Sequence, residues 1–171
     1  MIRALGAGLV LFGGLAWGLQ RVHFLRRRQR LTEALAQSLH RLGAELTQRL
    51  TPLPELLLQL QEAAPPAARG FFAALCRELN HLGEESFGVL WGRCVERYPD
   101  PALDGELRAA LTELGWQLGR YAAPIQGEAL ARCTAVLERS AAEGRQALEG
   151  NIRLQMGLCV CAALAAVVIL L

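Results

Sequence analysis

Lysine is absent from this chain of 171 residues, so all eighteen basic side chains are arginine. Histidine is scarce: His23, His40 and His81 share no H-x-x-x-H or H-E-x-x-H spacing, which removes the helix-borne zinc site. The five cysteines, Cys76, Cys94, Cys133, Cys159 and Cys161, are odd in number and form no disulfide framework. They read as small apolar fillers in a reducing compartment. No glycine-rich loop follows a strand pattern: Gly6, Gly8, Gly13, Gly14 and Gly18 fall within one apolar stretch. Acid pairs such as Glu84-Glu85 sit side by side in a turn rather than stacked on a helix face. There is no low-complexity run and no strand-like alternation. These absences leave no catalytic constellation, so the expectation is a protein that is not an enzyme and uses no cofactor or metal.

Charge is also missing from both ends. Residues 4–20 and 154–171 contain no acid or base. A bilayer core needs about 20 apolar residues and no fewer than about 17, so both stretches reach spanning length. The division expected is a transmembrane anchor at 1–20, a helical domain at 21–153 and a second anchor at 154–171. Ala16-Trp17-Gly18 offers a signal-peptide cleavage site, but Arg21, Arg26, Arg27, Arg28 and Arg30 follow it at once. The positive-inside rule opposes carrying that cluster across a membrane. It places the central domain in the cytoplasm and both termini outside.

The five arginines at 21–30 face no acid, whereas residues 31–153 hold twelve arginines against sixteen acids. The chain thus has a basic collar beside a slightly acidic body. Anionic membrane lipids suit the collar, and no basic face extends beyond it for nucleic acid. Gly14-x-x-x-Gly18 permits close helix approach, either between the two spans or between chains as a homo-oligomer.

Turn signals divide the middle into six helical pieces. Leu31, Leu35, Leu39, Leu42, Leu46 and Leu50 form one stripe on a helix from about Arg21 to Leu50, about 45 Å long. Thr51-Pro52 reads as a cap followed by proline at the first helical position, and the helix ends near Ala64. The third helix carries Phe72, Leu75, Leu79 and Leu82 and stops at Gly83. The fourth has Phe87, Leu90, Trp91, Cys94 and Val95 on one face, ending at Tyr98-Pro99. The fifth follows Asp100-Pro101 with Leu103, Leu107, Leu111, Leu114 and Leu118. The sixth starts near Pro124 and carries Leu130, Cys133, Leu137 and Leu148 towards the second anchor.

The fold expected is all-α: an antiparallel six-helix bundle flanked by N- and C-terminal transmembrane helices. An even number of helices returns the chain to its starting side, as two anchors demand. Turns near Pro52, Gly83 and Tyr121 then lie at the far tip, and those near Pro65 and Pro99 face the membrane. At the tip Glu84, Glu85, Arg120 and Tyr121 are the candidate partner-binding residues, a charged pair and a cation beside an aromatic. Ordinary solvated turns explain them equally well.

Several features taken in order resemble the stage III sporulation protein AB family of endospore-forming bacteria. They are the Met1-Ile2-Arg3 start, the glycine-rich first apolar stretch, the arginine-rich Gln20–Leu31 and the leucines of Ala34–Leu46. Thr51-Pro52-Leu53, Leu114-Gly115-Trp116-Gln117-Leu118-Gly119, Gln126, Leu137-Glu138, Asn151 and the closing apolar stretch complete the set. Ala122 stands where the family often has an acid. The resemblance implies a domain similar to the cytoplasmic helical domain of the type II secretion inner-membrane platform protein. It also implies membership of the channel between mother cell and forespore, with other channel subunits and a cytoplasmic secretion-type ATPase as partners. A generic membrane-anchored helical adaptor outside secretion is the alternative.

Overall fold

The computed structural model describes the backbone of residues 2–48, 52–120 and 123–170, and the side chains of residues 20, 22–46, 52–119 and 125–150. Six α-helices account for nearly all of it: α1 Ile2–Gln48, α2 Leu53–Ala63, α3 Pro66–Glu78, α4 Phe87–Arg97, α5 Gly105–Arg120 and α6 Ala123–Leu170. A single 3₁₀ turn at Leu79–His81 follows α3, and the described residues include no strand. The all-α expectation holds there. The spans expected at 1–20 and 154–171 lie outside the residues whose side chains are described, apart from Gln20. Among the described residues no helix is long and apolar enough to cross a membrane.

α1 and α6 run antiparallel along each other. Glu33 meets Arg145, His40 meets Glu138, and Leu130 packs 3.7 Å from the Cβ position of Gly43, so the partner's number falls as α1 advances. Both helices are unbroken through the apolar–polar boundary, at 47 and 48 residues. The remaining four helices cover one side of this pair. α2 and α3 pack on α1, α5 packs on α6, and α4 bridges α3 and α5.

The leucine stripe of α1 explains the core. Leu31, Leu35, Leu39 and Leu42 are buried and Leu46 is partly so, while Leu50 lies outside the described residues. They form one apolar cluster with Leu57, Leu75, Trp91, Leu107, Leu111, Leu114 and Leu137. Phe71 sits at the centre, edge-on to Phe72, Trp91 and Tyr98 at 5.4, 6.1 and 5.5 Å between ring centroids. Such pairs add about 0.5–1.5 kcal/mol each to the area they bury.

α4 and α5 cross closely because glycines remove side chains where they touch. A Cβ on Gly88 would lie 2.7 Å from Trp116 Cε3, and one on Gly119 only 3.2 Å from the Gly88 nitrogen. A Cβ on Gly115 would overlap the Trp91 ring and stand 2.8 Å from Trp91 Cβ. Trp116 and Trp91 therefore each lie on a glycine of the opposite helix.

The helix ends depart from the sequence reading in three places. α2 begins at Leu53 with Pro52 before it, and the Pro52 carbonyl accepts from the N–H groups of Glu55 and Leu56 at 3.0 and 3.2 Å. Proline there is N-cap rather than first helical residue, and Thr51 lies outside the described residues. α3 ends at Glu78 rather than running to Gly83, which takes φ +116° in the following turn and leaves Leu82 exposed. α5 begins at Gly105, because Asp104 Oδ1 accepts the Leu107 N–H at 3.0 Å and caps the helix there. Leu103 is buried in the loop before it.

That loop is tied by Arg108. Its Nε donates to the Leu103 carbonyl at 2.9 Å, and its terminal nitrogens donate to the carbonyls of Val95, Glu96 (3.1 Å) and Tyr98 (2.8 Å). One guanidinium thus satisfies the open carbonyls at the C-terminus of α4 and places a cation there.

Candidate functional site

The arginine segment of α1 resolves into two sets. Arg27 Nη2 pairs with Asp100 Oδ2 at 3.0 Å, and Asp100 Oδ1 accepts the Ala102 N–H at 3.0 Å. Arg28 turns to the other flank, pairing with Asp104 and donating to Ser140 Oγ at 3.1 Å. These two arginines fasten the 98–104 loop and α6 to α1. Arg26 and Arg30 are exposed and have no ion-pair partner among the described residues. The Arg21 side chain lies outside them.

Residues 23, 26, 27 and 30 follow helical spacing, so they share one face of α1. That face borders a cleft of about 570 Å³, closed on the far side by Pro66, Ala67 and Gly70 of α3 and by Tyr98. The Pro65–Pro66 and Pro99–Pro101 turns are thus at the arginine end of the bundle, as helix parity requires. Tyr98 is half-buried, and no described residue hydrogen-bonds its hydroxyl. Burial pushes that hydroxyl's pKa up, reinforced by the nearby Asp100 charge. Gly70 leaves room for it: a Cβ there would stand 3.1 Å from Tyr98 Oη.

At the other end, the Gly83 turn carries Glu84 and Glu85. Glu84 is exposed, with Oε2 3.5 Å from His81 Nδ1. Glu85 is committed to Arg93, which also reaches Glu78 Oε2 at 3.5 Å, so this turn is pinned to α3 and α4. Of the two turn carboxylates, Glu84 is the one not paired with an arginine among the described residues. The Arg120 side chain and Tyr121 lie outside the described residues. Gln126 Nε2 donates to the Leu118 carbonyl at 2.8 Å and so closes the corner between α5 and α6. Sequence reasoning missed Tyr98, Asp100, Asp104 and Arg93. Their partners lie up to 76 residues away, and only the sign of their charge was available as a signal.

No group of three His, Cys, Asp or Glu side chains that could hold a metal occurs among the described residues. Burial pushes the Cys94 and Cys133 thiols up to about 12, and raises Cys76 as well. Thiols so placed are packing groups rather than nucleophiles.

The family model for stage III sporulation protein AB matches residues 3–171. A solved structure of a stage III sporulation protein AB superposes with a TM-score of 0.64, covering 72% of this chain and 97% of its own, at 23% identity. That likeness carries the fold. The search of curated proteins found no match. The family match takes in both apolar ends and the bundle between them; the chain belongs to the stage III sporulation protein AB family, and its role is in sporulation.

Proposed function

We propose that the protein is a non-enzymatic membrane platform of the mother cell–forespore channel, anchored at both ends and docking a cytoplasmic secretion-type ATPase. The observation that carries this reading is the antiparallel pairing of α1 and α6. Their charged residues are in register from Glu33–Arg145 to His40–Glu138, and both helices continue unbroken into the uncharged ends. Two apolar helices leaving the same end of a bundle suit one bilayer, and the arginines beside that end suit its cytoplasmic face. The opposite end, with the Gly83 turn, is then the one a soluble motor reaches, with the other channel subunits beside the spans.

Two measurements test it. A Glu84→Cys variant in intact cells is expected to resist an impermeant maleimide above the wild-type background, and labelling would reverse the topology. Full-length protein in detergent is expected to retain the motor subunit in a pull-down, and Glu84→Lys to weaken retention without shifting the thermal midpoint. Undiminished retention would remove the Gly83 turn as the docking face.

A further inference from the structure

We propose that the cleft at the arginine end binds the phosphate of one anionic lipid headgroup and so seats the bundle against the bilayer. This rests on the membrane reading above and names the lipid chemistry for it.

The donors are already arranged. Arg26 and Arg30 lie one helical turn apart on the cleft face with no carboxylate partner among the described residues, and His23 stands one turn before Arg26. Opposite them is Tyr98, whose hydroxyl has no described partner. Among the described residues that line the cleft the one acid is Asp100, and it is held by Arg27 and the Ala102 N–H. Three guanidinium charges against that one carboxylate leave the cleft with an excess of positive charge. Guanidinium groups bind phosphate oxygens in forked geometry, and a phenol adds a third donor. A volume of about 570 Å³ accommodates a phosphoglycerol group rather than a bare ion. Gly70 keeps that volume open, since a Cβ there would stand 3.1 Å from Tyr98 Oη.

Position selects a lipid over a soluble phosphate. The uncharged stretch ends at Gln20, so His23 to Arg30 lie about 5–15 Å beyond it along the helix. That spans the headgroup zone and the water just outside it. Phe24, on the same segment, is 40% exposed, as suits an aromatic resting at the interface.

The test uses full-length protein in zwitterionic detergent, titrated with phosphatidylglycerol or phosphatidylcholine, with retained lipid counted by native mass spectrometry. One phosphatidylglycerol is expected to remain at concentrations where phosphatidylcholine does not. Arg26→Gln/Arg30→Gln should weaken retention roughly tenfold or more, since it removes two charge-assisted contacts. Tyr98→Phe should weaken it roughly threefold with the thermal midpoint preserved, a change that removes one neutral hydrogen bond. Arg41→Gln/Arg139→Gln removes equal charge elsewhere and should change nothing. Undiminished retention in the double cleft variant overturns the proposal, as does an equal loss in the control. So does inorganic phosphate competing as tightly as phosphatidylglycerol, which would make the ligand a soluble anion. Alkaline carbonate washing of wild-type membranes separates the two readings. Release of the protein defeats the membrane reading itself, while retention beside an insensitive cleft defeats only the lipid site.

Discussion

The indole of Trp91 lies across Gly115 and donates its Nε1–H to the Leu111 carbonyl at 2.7 Å. One residue thereby fills the α4–α5 crossing and satisfies its own polar atom, although it is fully buried. Alanine at 115 would raise helix propensity by about 1 kcal/mol, yet its Cβ would overlap the ring. Overpacking of this kind costs about 1–3 kcal/mol. Gly115→Ala is therefore expected to lower the thermal midpoint. Gly105→Ala, with nothing within 4 Å of the new methyl, should leave it unchanged or raise it slightly. Equal midpoints for the two variants would contradict the crossing geometry.

Arg108 should prove more important than an exposed helix arginine usually is. Truncation to methionine leaves several carbonyls of the α4 end and the following loop without their donor, at an expected cost of about 2–3 kcal/mol. Lysine has a single ammonium and cannot reach the same fan of acceptors, so Arg108→Lys should recover less than half. Urea denaturation of the two variants checks both statements.

Core truncations should scale with burial. Leu39→Ala and Leu114→Ala remove side chains that are 0% and 2% exposed and should each cost about 2–5 kcal/mol. Phe71→Ala, at the centre of the aromatic cluster, should cost about 3–5 kcal/mol. Leu58→Ala, on an exposed face, should cost well under 1 kcal/mol.

Burial pushes the Cys94 and Cys133 thiols up to about 12, so both stay protonated at pH 8. Iodoacetamide is expected to leave both unmodified in the native protein and to alkylate both in guanidinium, as peptide mapping would show. Native-state alkylation of Cys94 would mean that α4 opens locally.

Much of this fold could be read from periodicity. Apolar residues three and four apart on α1, α4 and α5 face the core because helical geometry leaves them no other shared side. Phe71 escaped that reading, yet it stands four residues before Leu75 on the same face of α3, and Trp91 of α4 and Tyr98 close over it. The end of α3 was overrun because Leu79 and Leu82 continue the spacing, while the chain must unwind to reach the positive φ at Gly83. The site was less legible. Five arginines in ten residues announce a charged segment, but Asp100 and Asp104 select Arg27 and Arg28 from a distance of more than seventy residues. Only the folded arrangement leaves Arg26 and Arg30 facing Tyr98. The Glu84-Glu85 pair likewise looked uniform until Arg93 claimed one of the two.

The α1–α6 pairing should be sensitive to acid through Glu33. A hydrogen bond from Gln29, and then one from Arg145, hold its carboxyl below the ordinary value of 4.5. A carboxylate depressed on folding adds stability above its unfolded pKa and loses it as pH falls through the folded one. Wild type should therefore exceed Glu33→Gln in thermal midpoint above pH 4.5, and the difference should close as the solution becomes more acidic. Glu33 is 37% exposed in its side chain, so solvent screening limits the pair to about 0.2–1 kcal/mol. Raising salt to about 1 M, where the Debye length is about 3 Å, should shrink the same difference at neutral pH. Arg145→Gln should reproduce most of the Glu33→Gln loss, and the two substitutions together should cost less than their sum. Additive losses, or a difference that persists below the folded pKa, would show that the Glu33–Arg145 pair does not help to hold the two helices together.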